Sequence, residues 1–69
     1  MLMMEIILNG EQRQIPDEFT AAQLVELLDL TGKRMAMEIN QEIVPRSTFA
    51  QHSIQAGDQI EIVGAIGGG

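Results

Sequence analysis

Residues 4–28 read MEIILNGEQRQIPDEFTAAQLVELL, and this stretch decides the fold because it predicts a β-hairpin followed directly by a helix. The β-favouring run at residues 4–8 ends at Asn9-Gly10, a pair that suits a two-residue hairpin turn because both residues accept positive φ. Residues 12–15 are predicted to return as the second strand. Pro16 ends that strand because proline cannot donate a ladder hydrogen bond.

The start of the helix is predicted from a capping box at Thr20 and Gln23, whose spacing lets each side chain satisfy a free backbone donor. Phe19 just before the cap and Leu24 at the fourth helical position make the matching hydrophobic staple. Four apolar residues then recur at helical spacing and are expected to face the core rather than a partner: Ala21, Leu24, Leu27 and Leu28.

The end of the helix is predicted at Gly32, since glycine adopts the left-handed conformation without a steric penalty. Lys33 and Arg34 follow, and they are expected to complement the negative end of the helix. The helix is thus predicted to occupy the residues between Thr20 and Gly32.

Three further strands are predicted after the helix. Residues 35–39 alternate between apolar and polar side chains, as expected for a strand with one buried face. Asn40-Gln41 is predicted to turn into a short edge strand at residues 42–44, closed by Pro45. The remaining elements are one helical turn at residues 47–51 with Phe49 in the core, a tight turn at residues 56–58, and a last strand at residues 59–63 with Ile60 and Ile62 inward.

This order of elements predicts an α+β fold in which one helix lies across a small mixed sheet of about five strands. The first and last strands are the most regular, and they are expected to form the centre of the sheet. One domain is predicted for residues 1–63, followed by a flexible tail at residues 64–69.

The composition argues against several classes of function. The 69-residue chain has no cysteine, so no thiolate is available as a nucleophile, a metal ligand or a persulfide site. Ten acidic residues oppose four basic ones, and the net charge of −6 repels nucleic acid and favours a basic protein partner, although solubility alone would also explain it. The chain has neither the basic start of a signal peptide nor an apolar stretch near the ~20 residues that span a membrane. It is therefore expected in the cytoplasm, with no membrane partner.

Catalytic, metal and nucleotide sites are not expected. His52 is the single histidine and is expected to be an ordinary surface residue. Glu5 and Glu61 are expected to be neighbours on adjacent strands, where a solvated face is favoured over acid–base work because no pocket is expected in so small a domain. No cluster has metal-ligand spacing. The terminal glycines are not a phosphate loop, because no helix follows them.

The final stretch, Gly64-Ala-Ile-Gly-Gly-Gly69, is the feature that predicts a chemistry. Glycines have no side chains and can be threaded extended through a narrow channel, and the terminal carboxylate of Gly69 is sterically open. The residues after Val63 reach ~20 Å from the domain, far enough to place that carboxylate in another protein's active site. A frayed chain end with no role fits the same residues.

Three motifs resemble one known family. Residues 39–46 read INQEIVPR, residues 56–63 read AGDQIEIV, and the sequence ends in Gly-Gly. Together with the early turn at Asn9, these features resemble the thiamine-biosynthesis sulfur carrier proteins, the ThiS family. The resemblance covers nearly the whole chain and implies a ubiquitin-like β-grasp fold.

The resemblance also implies a mechanism. An ATP-dependent, ThiF-like activating enzyme adenylates Gly69, and sulfur from a donor system such as a cysteine desulfurase replaces AMP. A ThiG-like thiazole synthase then draws the sulfur from the resulting thiocarboxylate. Gly67 and Gly68 are assigned to threading of the tail. The chain is expected to be a protein substrate and not an enzyme, with no cofactor of its own, since ATP and magnesium are used by the activating enzyme.

Rival functions stay open at this point. The molybdopterin-synthase small subunit shares the fold and the Gly-Gly end, but its tail usually carries a proline-rich stretch that residues 64–66 lack. A ubiquitin-like modifier would be joined to lysines through Gly69, and a purely structural interaction domain is the third alternative. Docking on partners is predicted for an outer sheet face near the base of the tail, formed by Glu5, Ile7, Glu61 and Val63.

Overall fold

The computed structural model describes residues 2–64, and within this range the predicted order of elements is confirmed. In chain order the elements are β1 (Met3–Leu8), β2 (Glu11–Pro16), α1 (Ala21–Leu27), β3 (Met35–Ile39), β4 (Glu42–Val44), a 3₁₀ helix (Arg46–Gln51) and β5 (Gln59–Gly64). β5 is one residue longer than predicted and includes Gly64, the first residue assigned to the tail. Nothing helical between residues 2 and 64 has the length and apolarity that a membrane span requires.

The five strands form one mixed sheet in the order β2-β1-β5-β3-β4. β1 and β5 run parallel, while the other neighbouring strands are antiparallel. The predicted central position of the first and last strands is confirmed, because β5 lies in the middle and β1 lies directly beside it. The strand that leads to residue 65 is therefore paired on both sides.

Both hairpins are closed by the predicted two-residue turns. Asn9 and Gly10 have φ of 50° and 84°, and Asn40 and Gln41 have φ of 54° and 71°. Positive φ at both turn positions is characteristic of the type I′ turn, whose twist matches that of the paired strands. The turns fix the register of each hairpin, and therefore which side chains point into the core.

The core lies between α1 and one face of the sheet. Side chains alternate inward and outward along the strands, and the burial of residues in β1, β3 and β5 follows this alternation, whereas β2 buries only Ile15. Phe49 of the 3₁₀ helix is buried, as predicted. The buried apolar residues are Ile6, Leu8, Ile15, Ala21, Leu24, Val25, Met37, Ile39, Val44, Phe49, Ile54 and Ile60.

The helix begins as predicted but buries a different set of residues. The Gln23 N–H donates to Thr20 Oγ1 at 3.1 Å, and the Thr20 N–H donates to Gln23 Oε1 at 2.8 Å, so the capping box is confirmed. The prediction that Leu27 faces the core is wrong, since this side chain is 46% exposed. At ~100° per residue, Val25 lies beside Leu24 on the inward face, while Leu27 lies about a third of a turn away from its centre.

The predicted helix end at Gly32 is also wrong. The chain leaves α1 earlier, and Asp29 takes the left-handed position with φ of 61°. The Asp29 N–H donates to the Glu26 carbonyl at 3.0 Å and the Leu30 N–H donates to the Val25 carbonyl at 2.9 Å, which are the two bonds of a Schellman motif. Leu30 then packs against the core, and this burial offsets the steric cost of a left-handed aspartate.

Lys33 and Arg34 consequently do not complement the helix end, because the last turn of α1 contains no basic residue. The segment that they occupy runs towards β3. The Lys33 carbonyl accepts a hydrogen bond from the Arg46 guanidinium at 2.9 Å. This bond ties the approach to β3 to the 3₁₀ helix.

Candidate functional site

The candidate site lies where β5 ends. Gly64, the last residue of β5, is exposed and is paired with Met35 at the start of β3. The residues assigned to threading, Gly67 and Gly68, and the residue assigned to sulfur attachment, Gly69, lie outside the described residues. Their roles and the flexibility of the tail stay predictions, whereas the strand that leads to them can be described in detail.

The end of β5 is held differently on its two sides. Towards β3, the antiparallel pairing continues to Gly64. Towards β1, the pairing stops earlier, because β1 ends at Leu8, which lies level with Ile60. Beyond this point Asn9 continues the ladder. Its N–H donates to the Ile60 carbonyl at 2.8 Å, and its side-chain Oδ1 accepts from the Ile62 N–H at 2.8 Å.

The face of the sheet away from α1 is uncovered around the end of β5. Glu61 lies opposite Glu38, and Val63 lies opposite Ala36. On its other side, Glu38 is paired with Ile43 of the edge strand β4. Val63 is 62% exposed and Ile43 is 73% exposed. We call the surface formed by Ala36, Glu38, Ile43, Glu61 and Val63 the exit face.

Two carboxylates oppose each other in the exit face. Glu38 and Glu61 are cross-strand partners, and together with Gln41 and Gln59 they line a shallow cleft. Among the described residues, no basic side chain lines this cleft. Like charges directly opposite each other destabilise a sheet, by an amount within the ~0.2–1 kcal/mol typical of cross-strand pairs. The pair therefore weakens the isolated fold and gives the exit face a negative centre between two exposed apolar side chains.

Glu5 and Ile7 point outward, as predicted, but they lie far from the end of β5. Because β1 and β5 are parallel, Ile7 is level with Gln59, and the Gly57 N–H donates to the Glu5 carbonyl at 2.7 Å. Glu5 is therefore level with Gly57, and Glu61 lies about 13 Å further along the sheet at ~3.3 Å per residue. The prediction that Glu5 and Glu61 are neighbours is wrong.

Sequence reasoning missed Glu38 and Ile43 as members of the exit face. The alternation in residues 35–39 does place Glu38 outward, but it does not say which strand lies beside β3. Only the observed strand order brings Glu38 next to Glu61. The signal for Ile43 in the sequence is alternation, since a strand that buries Val44 turns Ile43 to the opposite face.

Two further titratable residues, His52 and Asp58, contribute hydrogen bonds that hold the fold together. The His52 carbonyl accepts from the Ala21 N–H at 2.9 Å, so the main chain at His52 supports the start of α1. The buried carboxylate of Asp58 accepts from the Asn40 side chain and from the Gln55 N–H. In this part of the chain, no three histidine or acidic side chains come together as a metal site.

The fold matches a solved structure closely. The crystal structure of the thiamine biosynthesis protein ThiS from Geobacter metallireducens superimposes with a TM-score of 0.82, over 96% of this chain and 100% of that chain, at 23% sequence identity. The sheet, the one main helix found in residues 2–64 and this match define the class, a ubiquitin-like β-grasp domain, as predicted. The ThiS family model matches residues 6–69. The chain belongs to the ThiS family.

The proteins that are similar to this chain in sequence include a short carrier and longer proteins. The sulfur carrier protein ThiS of Escherichia coli is 42% identical over 66 residues, which is 96% of this chain and 100% of that protein. A thiazole synthase from Paramagnetospirillum magneticum is 41% identical over 66 residues, and this chain spans 20% of its length. A second thiazole synthase, from Magnetococcus marinus, is 38% identical over 66 residues, again 20% of its length. A segment similar to this chain is thus part of larger proteins named thiazole synthase.

Proposed function

We propose that this chain is a sulfur carrier in thiamine biosynthesis and that it carries the sulfur on the carboxylate of Gly69. The observation that carries the proposal is the similarity to an E. coli protein named as a sulfur carrier, which covers 96% of this chain and 100% of that protein. Two further observations support it. The family model extends through Gly69, and the absence of cysteine leaves the main chain as the place for the sulfur.

The proposed chemistry takes place on the carboxylate in two displacements. A carboxylate oxygen of Gly69 attacks the α-phosphorus of ATP bound to an activating enzyme, pyrophosphate leaves, and an acyl-adenylate forms. Hydrosulfide, released by a thiol reductant from the persulfide of a donor such as a cysteine desulfurase, then attacks the carbonyl carbon, and AMP leaves with the electron pair. The product is a thiocarboxylate. The chain acts as a protein substrate in both steps, and ATP and magnesium belong to the activating enzyme.

The glycines before Gly69 have a steric role in this proposal. Gly67 and Gly68 carry no side chain, so they can lie extended in a channel that admits only main chain. The channel aligns the carboxylate with ATP, and such alignment contributes several kcal/mol to a reaction between bound groups.

The exit face is the proposed docking surface. Fully extended, residues 65–69 span ~17 Å, so an active site that receives Gly69 must come within about that distance of Gly64. The uncovered surface at this end of β5 contains Glu61 and Val63 from the predicted docking set. We add Glu38 and Ile43 to them, and we place Glu5 and Ile7 at the far margin of the contact.

Thiazole synthase is the proposed recipient of the sulfur. The relatives from P. magneticum and M. marinus are named thiazole synthase, and each contains a segment similar to this chain. A carrier joined to its synthase in one chain acts at a high effective concentration. A carrier that is not joined to its synthase needs a docking surface to achieve the same encounter.

Intact mass spectrometry tests the proposal. The purified protein is weighed, incubated with ATP, magnesium, an activating enzyme and a sulfur source, and weighed again, with the E. coli relative as a positive control. We expect the exchange of one oxygen for one sulfur, located at Gly69 by fragmentation, and loss of that sulfur on addition of thiazole synthase and its other substrates. Unchanged mass while the E. coli protein is converted would contradict the proposal. Covalent adducts on lysines of other proteins would favour the modifier alternative.

A further inference from the structure

We infer that Asn9 is a positioning residue for the carrier reaction, because its side chain holds the last residues of β5 in the sheet and so fixes the point from which the chain leaves towards Gly69. The inference rests on the proposed function. It concerns how the fold presents the tail, and it assigns no chemistry to Asn9 itself.

The geometry around Asn9 explains why a side chain is needed there. The Ile62 N–H points towards β1. If β1 continued as a regular parallel strand, the main-chain carbonyl of residue 9 would accept a hydrogen bond from this N–H. β1 has already ended, because Asn9 turns away with φ of 50°. The side-chain carbonyl of Asn9 supplies the missing acceptor, at 2.8 Å from the Ile62 nitrogen. Asparagine meets both demands, since it tolerates the left-handed turn and carries an acceptor, whereas glycine meets only the first.

Loss of this acceptor would release the end of β5 on one side. Residues 62–64 would then be held by their pairing with β3 alone, through Met35↔Gly64 to Met37↔Ile62. Fraying of these residues lengthens the stretch of chain between the sheet and Gly69 and shifts Val63 in the exit face. A longer segment lowers the effective concentration of the Gly69 carboxylate at the partner's active site. Less accurate placement of this carboxylate lowers the rate further. We expect kcat/KM for thiocarboxylate formation to fall about 3- to 10-fold.

The chain offers a matched control at Asn40. This residue holds the same first position in the other type I′ turn, with φ of 54°. Its Oδ1 accepts from the Gln59 N–H at 3.0 Å, at the opposite end of β5, and its amide also donates to Asp58. Asn40→Gly therefore removes more hydrogen bonds than Asn9→Gly but leaves the last residues of β5 in place. A comparison of the two variants separates positioning from stability.

The experiment compares the wild type with Asn9→Gly, Asn9→Asp and Asn40→Gly, at a temperature at which denaturation curves show all four to be folded. Amide hydrogen exchange is measured at Ile62, and thiocarboxylate formation is measured by mass spectrometry. In Asn9→Gly we expect exchange at Ile62 to accelerate about tenfold or more, together with the fall in kcat/KM. Asn9→Asp keeps an acceptor oxygen and should restore both to within about twofold of the wild type.

Asn40→Gly should lower stability and leave kcat/KM within about twofold of the wild type, since it acts far from the end of β5. Unchanged kcat/KM in Asn9→Gly, or an equal fall in both glycine variants, would overturn the positioning role alone. A wild-type protein that acquires no sulfur would overturn the proposed function and the positioning role with it.

Discussion

The Asn40 side-chain amide donates to Asp58 Oδ1 at 3.0 Å and joins two residues that are 18 positions apart. The second carboxylate oxygen of Asp58 accepts from the Gln55 N–H at 2.8 Å. Both oxygens of this carboxylate therefore have hydrogen-bond partners, as a residue that is only 9% exposed requires. Asn40 in turn accepts from the Gln59 N–H. These bonds make the β3–β4 turn and the start of β5 one hydrogen-bonded unit.

Replacing Asp58 should therefore lower the stability of the fold. Asp58→Ala leaves the Asn40 amide and the Gln55 N–H without their acceptor in a partly buried site, and we expect the free energy of unfolding to fall by about 2 kcal/mol. Urea denaturation measures this change. Glu26→Ala, at an exposed position in α1, is the control and should change stability by less than ~0.5 kcal/mol. Similar values for the two variants would show that the Asp58 bonds contribute little.

Replacing Asp29 should have the opposite effect. Asp29→Gly removes the steric cost of a left-handed L-residue and a negative charge next to the helix C-terminus, and we expect a gain of about 0.5–1 kcal/mol. Gly32→Ala is the counterpart. It places a side chain at φ of +82° and should lower stability by ~1 kcal/mol. A loss of stability in Asp29→Gly would show that its side chain stabilises the helix end in a way the Schellman bonds do not explain.

The carboxylate pair in the exit face predicts a stabilising neutral substitution. Glu38→Gln removes the repulsion from Glu61, and we expect the free energy of unfolding to rise by about 0.2–1 kcal/mol at low salt. Added salt should raise the stability of the wild type more than that of the variant, because it screens the repulsion. Glu5→Gln is the control, because Glu5 lies opposite Gln14 in the β1–β2 register and has no carboxylate facing it there. This variant should show a smaller rise in the free energy of unfolding. Equal gains in both variants would point to net charge as the cause.

The exit face predicts where a charge should disturb docking. Val63→Asp adds a third carboxylate beside Glu61 and removes an exposed apolar contact, so we expect weaker binding to the activating enzyme, with kcat/KM lowered about tenfold or more. Met3→Asp is the matched control, because Met3 is an exposed apolar residue at the far end of β1. Association should also slow with added salt if charges steer it. Comparable losses in both variants would place the docking surface elsewhere.

The proposed attachment point predicts a strict dependence on length. Deleting Gly69 keeps a glycine carboxylate but withdraws it by ~3.5 Å, and we expect thiocarboxylate formation to fall about 100-fold, because ~1 Å of misplacement already has effects of this size. One residue added after Gly69 should abolish the reaction. Gly67→Ala adds a methyl group in the proposed channel but should lower the rate less than either change at Gly69, since it leaves the position of the carboxylate along the chain unchanged. Acquisition of sulfur by the extended protein, without prior trimming, would contradict carriage on Gly69.

Local residue pairs made much of this fold predictable. Asn9-Gly10 and Asn40-Gln41 form the expected turns, and Thr20 with Gln23 forms the expected cap, because each depends on atoms only a few positions apart. The helix end was not predictable in the same way. Asp29 adopts a left-handed conformation that is less favourable for any L-residue than for glycine, and this conformation brings Leu30 against the core.

The amino-acid sequence by itself determined the turns, the cap, the inward and outward alternation of the strands, and the glycine-rich residues 64–69 that predict a carrier. Tertiary structure decided which outward residues meet. Alternation places Glu5, Glu38 and Glu61 on one face, but only the strand order and the parallel register of β1 with β5 bring Glu38 beside Glu61 and move Glu5 away. The physical reason is that strand pairing joins residues distant in sequence, and the packing of the whole core selects among registers that each strand alone would accept.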